Sequence, residues 1–335
     1  MKHALQLSVS ASLILCSFAL PGGELRFAVQ AKTRVSKVFD AKMALHSTGI
    51  SVRVDGKDHD ASMGGLTVHL DQSTHVEQHD EYGAPKAGKP TTLKRTFDKL
   101  EGKFVQRLEL PEGAPEHGPT ETSTTRSSEL EGKTVVFTLG DEGEYKVAFE
   151  DGKGDADLLE KLEEDMDLRG LLPDGEVEAD KSWEIDAKEF HSVLNLPGGE
   201  LKLKAEGDTE SDTKLSQQLQ EHAKGKVKGT YKGQREVDGH KYALVVFEAE
   251  LESQGQRENS AKAGGGATDL KVAYSAEGEL LWDGEAGHFH SCKLGSKLTL
   301  TMKDTRTIEQ GGESHEYERT TEFEGEGEFK AEVGG

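Results

Sequence analysis

The densest run of potential ligands in the chain is His288-Phe289-His290-Ser291-Cys292. On an extended strand, side chains two residues apart share a face. The spacing would present two imidazoles and a thiolate together, a donor set suited to Zn²⁺ or Cu. Strand rise limits the arrangement: same-face residues lie ~6.6 Å apart, so the outer pair is ~13 Å apart, and one ion takes all three only if the strand bulges. His288, His290 and Cys292 are thus a candidate metal site, set against a strand that is polar on one face and carries Phe289 on the other. His69, His75 and His79, with His59 upstream, match no helix-borne zinc motif. Asp151, Asp155, Asp157 and Glu160 look like the start of a calcium loop, but Lys153, Ala156 and Leu162 stand where an EF-hand needs an oxygen ligand, Gly and Glu. These acids read better as helix-capping residues. Ser211 and Lys214 have Ser-x-x-Lys spacing without the companion motifs of penicillin-interacting enzymes. No catalytic residue is assigned and no cofactor is expected.

Most of the chain that must position these residues alternates with period two, the mark of half-buried antiparallel strands. Ile50, Val52 and Val54 face one way before an Asp55-Gly56 turn; Val135, Phe137 and Leu139 repeat the pattern. Ala243, Val245, Phe247, Ala249 and Leu251 form one apolar face, and Leu298, Leu300 and Met302 another before Gly311-Gly312. Two segments have helical spacing. Asp157 and Glu160 fit a capping box ahead of Leu158, Leu162 and Met166, with Gly170 and Pro173 as stops. A second helix is expected over about 212–223, with Leu215, Leu219 and Ala223 in one stripe. Pro111–Ser128 and Gln254–Thr268 read as exposed loops. A Glu-Gly-Glu between strands occurs twice, at 142–144 and 277–279, and hints at two related halves.

The expected fold is therefore mainly β: curved antiparallel sheets, incomplete-barrel-like, in two related halves, with two short helices packed on the sheets. The expected divisions are a leader at 1–31, a β-rich half at 32–154, a helical joint at 155–175 and a second β-rich half at 176–335. Lys2 and the apolar run Ala4–Leu20 form a signal-peptide pattern, with cleavage after residue 19 or 31. Lipidation at Cys16 is disfavoured, because Leu15 precedes it and the apolar run continues past it. The mature chain is expected to be exported, periplasmic or extracellular, and soluble. The full sequence has 63 acidic residues against 41 basic ones, a formal charge of −22, which disfavours binding to nucleic acid or anionic lipid headgroups.

Leu171-Leu172-Pro173, Val177 and Ser182-Trp183-Glu184-Ile185, with Thr33–Phe39 and Leu93–Asp98, resemble motifs of uncharacterised exported β-rich proteins of planctomycetes and other Gram-negative-type bacteria. Asp180-Lys181 departs from the Gly-Asp usual there. The resemblance implies long curved sheets like the incomplete barrel of LolA-like lipoprotein carriers, and with it a hydrophobic-ligand cavity and a lipid or lipoprotein partner. Trp183 is read as a structural anchor at the start of the second sheet. The function expected is a non-enzymatic binding or envelope-associated structural role. The alternative is a periplasmic or secreted enzyme with dispersed catalytic residues, or with a metal site near His288, His290 and Cys292.

Overall fold

The computed structural model describes residues 25–59, 65–111, 120–205, 210–259, 265–310 and 312–334. Residues 1–24, which include Cys16 and most of the expected leader, lie outside the described residues. The alternating segments become β1 (Arg34–Val54), β2 (Lys57–Asp58), β3 (Thr67–Tyr82), β4 (Pro85–Lys86), β5 (Lys89–Pro90), β6 (Thr92–Glu109), β7 (Glu121–Ser127), β8 (Thr134–Leu139), β9 (Tyr145–Phe149) and β10 (Ser182–Glu184). After two helices, α1 (Ala187–Leu194) and α2 (Glu210–Glu221), come β11 (Lys224–Val237), β12 (His240–Glu258), β13 (Ala267–Asp283), β14 (His288–Gln310) and β15 (Glu313–Gly334). Asp55 and Gly56 take φ of 51° and 74°, the left-handed pair that an Asp-Gly hairpin turn needs.

Thirteen strands form one antiparallel sheet, ordered β10-β11-β12-β13-β14-β15-β1-β3-β6-β8-β9, with β2 beside β1 and β7 beside β6. The path is open, ending at β10 and β9. The chain from β9 to β10, here called the strap (residues 150–181), must pass from one edge to the other, and it crosses the face that carries the core. Asp167 of the strap meets Lys37 on β1, and the Leu171 carbonyl accepts from Trp183 on β10. In a flat sheet, β1 and β10, six positions apart, would be separated by ~29 Å. Four residues that end in a 3₁₀ turn at Arg169–Leu171 advance only ~8–10 Å. The sheet therefore curls around the strap. A mainly β, curved, unclosed antiparallel sheet with two short helices against it is the expected class.

The core occupies one end of the concave face. Phe39, Phe97, Phe137, Phe247, Phe289, Phe329 and Trp282 are fully buried there. α1 adds Phe190, which packs edge-on to Phe247 at 6.0 Å between ring centroids. α2 lies on β12: Leu215 occupies the space a side chain at Gly255 would need, and Gln218 Oε1 accepts from Gln256 N at 2.7 Å.

Local structure departs from expectation in five places, one being Gln254–Thr268, read as loop, whose ends belong to β12 and β13 with Thr268 only 1 % exposed. The helix after Asp157 does not form. Leu158, Leu162 and Met166 are buried as their spacing demands, but the chain makes short 3₁₀ turns at Ala156–Leu158 and Arg169–Leu171, with Lys161 and Leu168 at positive φ. The reason is competition for carbonyls: Arg95 donates to Glu163 O at 3.2 Å and to Glu164 O at 3.0 Å, groups that a helix would spend on its own amides. The unexpected helix is α1, capped by Asp186, whose carboxylate accepts from Lys188 N and Glu189 N. Glu277-Gly278-Glu279 lies inside β13, so the hairpin at 141–144 is not repeated. The stretch Pro111–Ser128, read as loop, contains β7.

Candidate functional site

The His-Cys run is split by a bulge. Register between β13 and β14 shifts at Leu281/Trp282: Trp282 pairs with Phe289, Leu281 with Ser291, and His290 is the extra residue. Phe289 and Cys292 consequently both enter the main core. His290 instead stacks on Tyr242 at 4.3 Å, outside that core, and His288 Nδ1 lies 2.7 Å from Phe289 O. The three donors do not converge. Among the described residues no group of three or more His, Cys, Asp or Glu side chains is placed to hold a metal ion, so the metal reading of His288, His290 and Cys292 is corrected. Burial, with Glu279 nearby, pushes the Cys292 thiol up and makes thiolate formation unfavourable. Trp183 is half-buried, with Nε1 donating to Leu171 O at 3.2 Å. The fully buried Trp is Trp282.

The densest polar chemistry is a buried ion cluster that sequence reading did not identify. Val35, Asp80 and Arg95 are register partners across β1, β3 and β6, and Lys37 lies one inward position along from Val35. Arg95 grips Asp80 with two bonds, Nε to Oδ1 at 2.9 Å and Nη2 to Oδ2 at 3.0 Å. Lys37 Nζ donates to Asp80 Oδ2 at 2.8 Å, to Tyr82 OH at 2.6 Å and to Asp167 Oδ1 at 2.7 Å. Tyr82 OH donates in turn to Asp167 Oδ1 at 2.8 Å. The side chains of Lys37, Asp80 and Asp167 are 0 % exposed. Beside them Glu164 contacts Arg169, which also pairs with Asp165 at 3.1 Å and stacks over Phe27 at 4.9 Å.

The electrostatics follow from this enclosure. Burial opposes charge on Asp80, but Arg95 and Lys37 beside it hold its carboxyl down at about 2. Burial and the Asp167 and Asp80 charges push the Tyr82 hydroxyl well up. Glu164 is pushed up to about 7, because its burial outweighs Arg169. Lys37 spends all three protons on enclosed partners, and Arg95 uses both ends of its fork. The cluster presents no reacting atom to solvent. It ties the strap, through Glu163, Glu164 and Asp167, to three sheet strands. The only sequence trace of it was polar residues at inward positions, where Lys37, Gln78, Asp80 and Arg95 interrupt otherwise apolar alternation.

Beyond the packed end, the same face continues as a trough. Val272, Leu300 and Phe323 lie side by side on β13, β14 and β15; Leu270, Met302 and Thr321 form the next row. Phe323 is 2 % exposed, whereas Leu270, Val272, Leu300 and Met302 are only half-buried. α2 on β12 stands at one side of these rows. At the other, Leu70 on β3 and Phe104 on β6 are also half-buried.

The sequence matches no family model. No curated protein matches it. Among solved structures, the Type IV competence pilus secretin PilQ of V. cholerae aligns at 8 % identity with a TM-score of 0.14, covering 90 % of this chain and 59 % of that one. At that score the likeness carries no argument about fold or function. Among the described residues no helix is long and apolar enough to cross a membrane.

Proposed function

We propose that the protein is an exported, non-enzymatic binding protein that carries a hydrophobic ligand on the open part of its concave sheet face. The observation that carries this reading is the half-buried apolar patch of Leu270, Leu300 and Met302 beyond the plugged end, with Val272 at its border with the core. A closed core would bury such side chains. A merely wetted surface would be polar, as the opposite face is at the intervening positions Lys271, Thr299, Thr301 and Lys303. Contiguous apolar patches rimmed by polar groups mark binding surfaces. Leader cleavage after Ala19 fits better than cleavage after Ala31. Leu25, Phe27 and Val29 are 6 %, 4 % and 1 % exposed, and Ala28 N donates to Gly287 O at 3.0 Å, so the later cut would strip the core. The enzymatic alternative has no supporting geometry among the described residues.

Native mass spectrometry of protein purified from its own envelope fraction, followed by solvent extraction, tests the proposal. A co-purifying long-chain lipid, lost in Leu300→Glu while the β-sheet circular dichroism is kept, is the expected result. An adduct-free chain whose L300E variant binds apolar dyes as the wild type does would overturn it.

A further inference from the structure

The trough ends in arginine. One row beyond Met302, the register places Arg257, Thr268, Asp304 and Arg319 side by side on β12 to β15. One row further, Arg306 pairs with Tyr317, its guanidinium 4.4 Å from the ring centroid. Asp304 accepts from Thr268 Oγ1 at 2.6 Å and from Arg319 Nη2. Arg306 and Arg319 thus share this end of the trough with one carboxylate, Asp304. Arg306 has no carboxylate partner among the described residues, and its Nε is buried without an acceptor. This is unusual in a chain of net charge −22.

Most acids of β12 and β15 are on the other face, Glu313 at the start of β15 being an exception. On β15 every Glu from Glu316 to Glu332 sits at an even position, whereas Arg319, Thr321 and Phe323 are odd. On β12, Glu248, Glu250, Glu252 and Glu258 likewise alternate away from Leu251 and Arg257. The outer surface repels an anion, and the end of the trough attracts one. Guanidinium forks match carboxylates in geometry as well as charge.

We infer that the bound ligand is a long-chain carboxylate, its headgroup paired with Arg306 and Arg319 and its chain lying along Met302, Leu300 and Val272. The inference rests on the trough reading proposed above. From Arg306 to Leu300 the strand runs ~20 Å, the extended length of a chain on the order of sixteen carbons.

Displacement of a fluorescent fatty-acid probe by palmitate and by hexadecan-1-ol separates the two ideas. Palmitate should displace the probe at about tenfold lower concentration than the alcohol, as one charged hydrogen bond supplies. Arg306→Gln and Arg319→Gln should each erase that advantage and leave alcohol binding unchanged, which also shows that the variants fold. Equal affinity for acid and alcohol, or equal losses of both in R306Q, would overturn the headgroup assignment while leaving the trough. Failure of both probes to bind would overturn the trough itself, and the headgroup with it.

Discussion

Lys37→Met removes one positive charge from the buried cluster and keeps the length of the side chain. Wild-type Nζ serves Asp80, Asp167 and Tyr82 at 2.6–2.8 Å. Asp80 retains its two bonds from Arg95 in the variant. Asp167 keeps only the Tyr82 hydroxyl bond and becomes an enclosed carboxylate with no directly bonded cation, Arg169 acting on it only at longer range. The gross attraction lost at 2.7 Å is about 6 kcal/mol at an effective dielectric of 20. The expected destabilisation is about 3–4 kcal/mol at pH 7, within the range for breaking buried pairs. Lys37→Met/Asp167→Leu removes both charges and should recover all but ~1–2 kcal/mol at pH 7.

Equilibrium urea unfolding provides the assay. Trp183 and Trp282 are the two tryptophans of the chain, and in separate Trp→Phe backgrounds each becomes a single reporter. Trp183 reads the strap through its bond to Leu171, and Trp282 reads the core. A K37M midpoint within ~1 kcal/mol of wild type at pH 7 would refute the reasoning, on the scale where surface changes are near neutral. So would a double variant less stable than the single one.

Titration supplies a second test. Burial raises Glu164 from 4.5 to about 7, so the folded chain holds a proton that the unfolded chain has released, and this stabilisation is lost as pH rises through that interval. Burial lowers His191 from 6.5 to about 4, so its contribution is lost as pH falls through that interval. Between pH 4.5 and 6.5 the two slopes, each up to ~1.4 kcal/mol per pH unit, oppose one another. Glu164→Gln should leave stability rising with pH across this window and His191→Asn should leave it falling, read from denaturation midpoints at three pH values; parallel profiles would show that neither group titrates as described. The Cys292 thiol, fully buried and pushed up, should resist a disulfide reagent at pH 8 in the folded protein and react completely in denaturant, and fast native reaction would contradict its placement.

The strands were legible because alternation is a property of single residues. Val135, Phe137 and the row from Ala243 to Leu251 face inward as read. The joint was not legible, because Leu158, Leu162 and Met166 satisfy a helix and an irregular strap equally well. What decided between them was Arg95, distant in sequence, taking two strap carbonyls. The metal run failed for a related reason. One inserted residue at His290 changes the faces of its neighbours, and nothing in the local composition announces a bulge. α1 carried a visible signal, Asp186 three residues before Glu189 and ahead of Phe190 and Val193, inside a stretch read only as part of the second β-rich half. The ion cluster left only a negative trace, since polar residues at inward positions cannot be paired without the topology.

That cluster also bears on why the two ends of one face differ. A strap with irregular backbone brings carbonyls that need donors, and an all-apolar face offers none. Arg95 supplies two, and Lys37 fixes Asp167, so the strap docks at one place on the sheet. A purely apolar contact would stabilise about as well, but it would tolerate a strap shifted along the strands. The trough faces the opposite requirement. A ligand that must enter and leave is better held by non-directional contact with Leu300, Met302 and Val272, with directional groups confined to one end. Alternating side chains on long strands meet both demands with the same backbone: polar residues at inward positions near Lys37 and Arg95 make a fixed plug, and apolar ones ~30 Å of strand away leave a surface that can be shared.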